Sequence, residues 1–299
     1  MNVGYVGLGS MGGALARRLL LTHPLVVYDR SPDAVRNLVS LGAVACESPG
    51  EVAARCDVVF LCLPTSAHVR EVLFGPDGIV QGAGRNTVVV DQTTGDPGET
   101  RRMGAELANR GITLIDAPVT GGIKGAEAGT ISIMVGAATE VFEAYLPILH
   151  AISTNVFHAG GLGAGHVIKL VNNLLSGSQR LLTMEAVALA AKNGIDPEAA
   201  CKILMSGGAN NAFLEKFMAP HVIKGNVSPG FTLGLMHKDV RLACQMASES
   251  GMPMFFGSSA REFYQMCINE LGANAQVHAA ALVFDRIAGT HVVPVQASN

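Results

Sequence analysis

The sequence predicts an α/β domain with a doubly wound parallel sheet, followed by an all-helical C-terminal domain. Three observations carry this. Short β-branched runs alternate with helical stretches through the first half of the chain. The run Gly7-x-Gly9-x-x-Gly12 follows the first strand directly and opens a helix. From about Gly160 the texture changes to long Ala- and Leu-rich stretches with no clear strand before the closing HVVPV, which reads as a tail. Strands separated by helices favour a parallel sheet covered on both faces, and a glycine loop at the first strand–helix junction makes it Rossmann-type.

The strands are expected at Val3–Val6, Leu25–Tyr28, Val58–Leu63, Thr87–Val90, Thr113–Ile115 and Ile131–Val135. Each is a short apolar run bounded by turn residues. Helices are expected around RRLLL, around Ala34–Leu41, around Val69–Leu73 and over TRRMGAELANRG. Ser31-Pro32-Asp33 and Asp96-Pro97-Gly98-Glu99 read as helix starts, with a capping side chain and then proline, which needs no N–H at the first helical position. Asp196-Pro197-Glu198 repeats the signal in the second half, where Asn193-Gly194 and Ser206-Gly207-Gly208 act as stops. The boundary is expected near GGLGAG, giving domains 1–160 and 161–299. No internal repeat is seen.

Apolar residues form 49% of the 299, and charged ones 15%, so a large core is available. The formal net charge is −3 and no basic cluster occurs, which argues against nucleic acid and anionic membranes as partners. No apolar run approaches the roughly 20 residues of a membrane helix. The chain opens straight into a strand, with no room for a secretory signal, so a cytoplasmic protein is expected. Six cysteines show no CxxC pair and no metal-like cadence with histidine, as befits buried thiols in a reducing compartment. Little charge over much apolar surface points to an oligomer.

The glycine loop is read as the site of a dinucleotide. Gly7 permits the tight turn, Gly9 lets the backbone approach a pyrophosphate, and Gly12 lets helix and strand pack closely. The loop residues Leu8, Ser10 and Met11 then lie against the phosphates, where the helix start offers N–H groups and the positive end of its dipole. Asp29 stands 22 residues past Gly7, at the end of the second strand, where a carboxylate would accept the ribose hydroxyls. Arg30 beside it could hold a 2′-phosphate, so the expected cofactor is NAD, with NADP possible. Leu63-Pro64 and Asp91-Gln92-Thr93-Thr94 end two further strands, on the edge where such sheets bind ligands.

In GHVIKLVNNLLSG, residues 165–177, the polar residues Lys169, Asn172, Asn173 and Ser176 fall within an arc of about 100° on an otherwise apolar helix. From the residues alone, Lys169 must find a charge partner, reach water, or face a site that uses it.

Four segments in order, VGLGSMG, DAPVTGG at 116–122, GAGHVIKLVNN at 163–173 and KDVRLA at 238–243, resemble the β-hydroxyacid dehydrogenase family. That family includes 3-hydroxyisobutyrate dehydrogenase, tartronate semialdehyde reductase and 2-(hydroxymethyl)glutarate dehydrogenase. The resemblance implies a Rossmann domain joined to a helical one through one long helix, assembled as a homodimer or homotetramer. It implies an oxidoreductase moving a hydride between nicotinamide and a short hydroxy acid or its semialdehyde. It further implies that Lys169 is the catalytic acid/base and that Asn173 binds substrate. Thr120, Gly121 and Gly122 would contact the substrate carboxylate, with Thr94 and Lys238 at the cofactor. Gly163 and Gly165 are expected to let nicotinamide and substrate approach the helix, and partial burial would favour the neutral amine. Lys124, in a GGxKGAEAG run similar to that of the hydroxymethylglutarate-type relatives, is expected to meet a second carboxylate. His166 and His237 flank the lysine motifs without an assigned role. Imine reductases share the architecture but usually lack this lysine. A non-catalytic dinucleotide-binding regulator would have little need of Lys169, Asn173 and Lys238 together.

Overall fold

The computed structural model describes residues 1–228 and 230–294. Strands β1 (Val3–Val6), β2 (Leu25–Tyr28), β3 (Val44–Ala45), β4 (Val58–Leu61), β5 (Val88–Asp91), β6 (Thr113–Asp116), β7 (Val119–Thr120), β8 (Ser132–Gly136) and β9 (Asn155–Gly160) form one sheet. Its order is β3-β2-β1-β4-β5-β6-β8-β7, with β9 paired to β8. The six strands from β3 to β6 run parallel, whereas β8 is antiparallel to β6 and β7. Chain order reverses between β1 and β4, so their C-terminal ends form the crevice where doubly wound sheets bind ligands.

β1, β4 and β5 are buried at every position. This matches their continuous apolar runs, because helices cover both faces. On one face, Phe60, Val90 and Ile115 pack with Leu15 and Leu19 of the Ser10–Leu20 helix. On the other, Val59, Leu61 and Val89 pack with Met103 and Leu107 of the Pro97–Ala108 helix.

The proline starts form as expected. Ser31 accepts the Ala34 N–H, Asp96 accepts those of Gly98 and Glu99, and Asp196 accepts that of Ala199, each just before a proline in the first turn. Ser48 and Pro49 begin a further helix, Pro49–Arg55, that the sequence reading did not mark. β3, β7 and β9 were also unmarked. β3 and β7 have only two residues each, and β9 (NVFHAG) is largely exposed, held by parallel register to β8. The strand expected to run to Leu63 stops at Leu61, where the chain turns toward the helix capped by Thr65.

Two compact units result, Met1–Lys169 and one that begins at Leu170. The long helix Ala164–Lys192 starts inside the first, past the composition change near 160. In the second unit, the helices Pro197–Met205, Leu233–Glu249, Phe255–Leu271 and Ala280–Ala288 surround a core that includes Met184, Val187, Met236, Tyr264 and Phe284. Gly177 allows that packing: a Cβ there would lie 2.8 Å from Met236 Sδ, and the buried Tyr264 hydroxyl donates to the Gly177 carbonyl at 3.0 Å. Of the closing HVVPV, Val292 and Val293 are buried and donate their N–H groups to the Asp285 carboxylate, so that part is not a loose tail. Val295 lies outside the described residues.

Candidate active site

The glycine loop joins β1 to the Ser10–Leu20 helix. Gly7 has φ +94°, a left-handed conformation that favours glycine, and its N–H donates to the Tyr28 carbonyl. At Gly12 a Cβ would collide with the Gly7 carbonyl oxygen, so close packing of turn and helix requires glycine there. Gly9 differs. It is exposed, its φ of −61° suits any residue, and a Cβ on it would meet nothing within 4 Å. Protein packing therefore gives no reason for glycine at position 9, while a phosphate lying on the backbone does. The helix start has Gly9 at its N-cap and no side-chain cap, so N–H groups of its first turn remain to be satisfied. The residues present fit a dinucleotide.

Asp29 is half-buried beside this loop. Its Oδ2 accepts the Leu8 N–H at 2.6 Å and its Oδ1 the Ser31 N–H at 2.7 Å. Each oxygen keeps further lone-pair capacity, so the fixed carboxylate can still accept from ribose hydroxyls. Arg30 is exposed next to it. Across the crevice, the Leu63 N–H donates to Thr93 Oγ1 at 3.1 Å, which ties the turn after β4 to the turn after β5. Pro64 is exposed and Thr94 half-buried on those two turns.

Gly121 and Gly122, with φ +134° and +73°, sit at the turn between β7 and the short helix Gly122–Ala128. Both are exposed, Thr120 before them is half-buried, and Lys124 points its exposed side chain from the short helix.

Lys169 is 8% exposed. It lies three residues after His166, whose ring is fully buried and engaged at both nitrogens. Nε2–H donates to the Thr93 carbonyl at 2.7 Å, and Nδ1 meets the Thr100 hydroxyl at 2.9 Å. The helix start is held by a remote carboxylate: Asp116, at the end of β6, accepts the Gly163 N–H at 2.6 Å and the His166 N–H at 2.7 Å. Asp91 is its register partner on β5, and the two carboxylates lie 4.0 and 3.9 Å from the imidazole nitrogens. Burial raises the Asp91 carboxyl above its ordinary value, opposed by the neighbouring His166 and by bonds from Thr93.

Gly163 and Gly165 do not serve as the sequence suggested. A Cβ on Gly165 would collide with the Met134 carbonyl oxygen and lie 2.9 Å from Asp116 Oδ2. Gly163 has φ +89° and packs on Arg101. These glycines let the helix approach the sheet, so protein contact explains them without a ligand.

In the second unit, Asn173, 7% exposed, donates its amide to Asp239 Oδ2 at 2.6 Å, and Lys238 pairs with Asp239 Oδ1 at 3.1 Å. Asp239 thus orients two residues that the motifs singled out. Asp116, His166 and Asp239 lie within the segments 116–122, 163–173 and 238–243, yet nothing in their spacing marks them, since each acts on a partner set by the tertiary fold.

Residues 2–161 match the family described as the NAD binding domain of 6-phosphogluconate dehydrogenase. Residues 163–284 match the family described as NAD-binding of NADP-dependent 3-hydroxyisobutyrate dehydrogenase. A 2-(hydroxymethyl)glutarate dehydrogenase from Eubacterium barkeri is 37% identical over 266 residues, covering 89% of this chain and 88% of that protein. The 3-hydroxyisobutyrate dehydrogenase of Pseudomonas aeruginosa is 35% identical over 272 residues, covering 89% and 91%. The solved Mycobacterium tuberculosis 3-hydroxyisobutyrate dehydrogenase, described with L-serine, superimposes with a TM-score of 0.85 at 27% identity, covering 94% of this chain and 98% of that one. The chain belongs to the β-hydroxyacid dehydrogenase family of NAD(P)-dependent oxidoreductases.

Proposed function

We propose that this chain interconverts a short β-hydroxy acid of the 3-hydroxyisobutyrate type and its semialdehyde, with Lys169 as general acid/base. The observation that carries the reading is a nearly buried lysine five residues past Ala164, on a helix whose first turn is fixed by hydrogen bonds to the C-terminal ends of β5 and β6. Bound nicotinamide supplies or accepts the hydride at the carbinol carbon. The chain handles the proton: in oxidation the Lys169 amine takes it from the hydroxyl, and in reduction the ammonium delivers it to the carbonyl oxygen. Asn173, four residues on and on the same face of the helix, would hold the substrate through its amide, with Asp239 fixing that amide. The backbone N–H groups of the Thr120-Gly121-Gly122 turn and the threonine hydroxyl suit the substrate carboxylate. Thr94, Leu63, Pro64 and Lys238 are read as cofactor contacts.

NADH formation from 3-hydroxyisobutyrate, serine, glycerate, 4-hydroxybutyrate and 2-(hydroxymethyl)glutarate tests the reading. Lys169→Ala should lower kcat by about 10²–10⁴ while cofactor binding persists. Turnover that survives the loss of the amine would overturn it. The Asp29 carboxylate, fixed by two N–H groups, favours NAD over NADP through repulsion of a 2′-phosphate. Tighter binding of NADPH than of NADH would reverse that choice and give Arg30 the leading part.

Lys124 is read as the group that receives a second carboxylate, with the 37% identity to a 2-(hydroxymethyl)glutarate dehydrogenase in support. Lys124→Ala should weaken dicarboxylic hydroxy acids alone; equal losses on monocarboxylates would refute it. A cytoplasmic homodimer or homotetramer is the expected form. No helix among the described residues is long and apolar enough to cross a membrane. Val171, Leu175, Leu182 and Leu189 leave an exposed apolar stripe along the long helix, which a second copy would cover. Light scattering that gives the mass of one chain would reject the oligomer.

A further inference from the structure

We propose that His166 and Asp116 are positioning residues that set the place of Lys169 relative to the two turns read as cofactor contacts. The inference rests on the acid/base reading of Lys169. One continuous chain of hydrogen bonds carries it, all within the α/β unit. Leu63 N–H donates to Thr93 Oγ1, His166 Nε2–H donates to the Thr93 carbonyl, and the His166 and Gly163 N–H groups donate to the two oxygens of Asp116. The chain therefore runs from the turn after β4, through the turn after β5 and the end of β6, to the first turn of the helix that bears Lys169.

The molecule makes room for this arrangement. A Cβ on Gly136 would collide with Asp116 Oδ1, one on Gly165 would lie 2.9 Å from Asp116 Oδ2, and one on Gly95 would lie 3.3 Å from the His166 ring. Asp116 and His166 are 0% exposed, and so is Thr100. A buried carboxylate and a buried imidazole are expensive unless satisfied. These are met by short bonds from backbone and side chain and, for Asp116, by the positive end of the helix dipole. A helix needs no such device to fold, since Ser31, Ser48 and Thr65 cap others in this unit with a local hydroxyl.

The consequence is one of lever arm. An extended lysine holds its ammonium about 8 Å from the helix axis, so a rotation of about 10° at the helix start moves it by roughly 1.4 Å. A misplacement of about 1 Å at a reacting centre is worth up to about 10² in rate. The imidazole blocks that rotation, because its two nitrogens grip the Thr93 carbonyl and the Thr100 hydroxyl, on separate elements. His166 has no role in proton transfer here: it acts on Lys169 through the helix.

Full-length His166→Leu, His166→Gln, Thr100→Val and Lys169→Ala, compared with the parent for kcat, both KM values and melting temperature, provide the test. His166→Leu should lower kcat about ten- to a hundredfold, with both KM values within about twofold. His166→Gln can return an amide N–H to the Thr93 carbonyl, and should recover most of that loss even where its melting temperature matches that of the leucine variant. If the leucine variant does not fold, Thr100→Val, which removes one of the two grips, should lower kcat several-fold at unchanged KM. Equal kcat in the glutamine and leucine variants, or an unaffected Thr100→Val if leucine fails to fold, would overturn the proposal. Should Lys169→Ala lose turnover while His166→Leu keeps it, this inference falls alone. Should Lys169→Ala keep its turnover, the acid/base reading falls and takes this one with it.

Discussion

Two helices of the α/β unit begin within glycine-rich runs of nearly the same composition, GLGSMGG and GGLGAG, and the two starts are finished in opposite ways. The first, at Ser10, has no side-chain cap and an exposed Gly9 whose missing Cβ would touch nothing. The second, at Ala164, is sealed by the Asp116 carboxylate, and its Gly165 is forced by the sheet that it packs against. A glycine-rich helix start is therefore not in itself a ligand cradle. What separates the two is whether the protein supplies the negative charge. Where a buried carboxylate already occupies the dipole end there is no place for a phosphate, and where none does the N–H groups remain for one.

The largest expected effect lies at the sealed start. Gly165→Ala would drive a methyl into the Met134 carbonyl and crowd Asp116, and should lower unfolding stability by about 3 kcal/mol or more in a denaturant titration. A variant as stable as the parent would mean that the helix does not pack as closely as described. The open start should respond differently. Gly9→Ala meets no protein atom and has an ordinary φ, so stability should change by less than about 1 kcal/mol. Its Kd for NADH should rise about tenfold or more, worth about 1.4 kcal/mol, as the methyl displaces the pyrophosphate from the backbone. Unchanged NADH affinity would remove the ligand explanation for Gly9.

The same contrast explains what could be read from the residues and what could not. Gly7, Gly9, Gly12 and Asp29 are local signals: a turn, a helix start and the end of the next strand fix their geometry, whatever the rest of the chain does. The starts at Pro32, Pro97 and Pro197 are local too, because cap and first turn lie within four residues. Asp116 reaches Gly163 and His166 across 47 and 50 residues of sequence, and no periodicity encodes such a pairing. Gly165 was misread for the same reason, since only the folded sheet reveals the carbonyl that its side chain would strike. Asn173 stood out as polar on an apolar helix, whereas the Asp239 that orients it, 66 residues on, could not be connected to it.

Buried histidines repeat the difference between sealed and open, with a smaller effect. His166 has partners at both ring nitrogens. His278, in the helical unit, is 2% exposed, lies edge-on to Phe213 and Phe217, and leaves Nε2 without a hydrogen-bond partner. Burial, with Arg180 and His221 nearby, pushes its pKa down to about 3. The unfolded chain takes up that proton near pH 6.5 and the folded one does not, so between about 6.5 and 3 the unfolded state binds more protons and stability falls as pH falls. The neutral ring's contribution is present above about pH 6.5 and is progressively lost on acidification, by about 1 kcal/mol at pH 6. His278→Phe, which keeps the aromatic contacts and abolishes the titration, should flatten that part of the stability–pH curve. The comparison would break if the variant lost stability on acidification as steeply as the parent, for the proton would then be entering elsewhere and an unpartnered ring nitrogen would carry no penalty of its own.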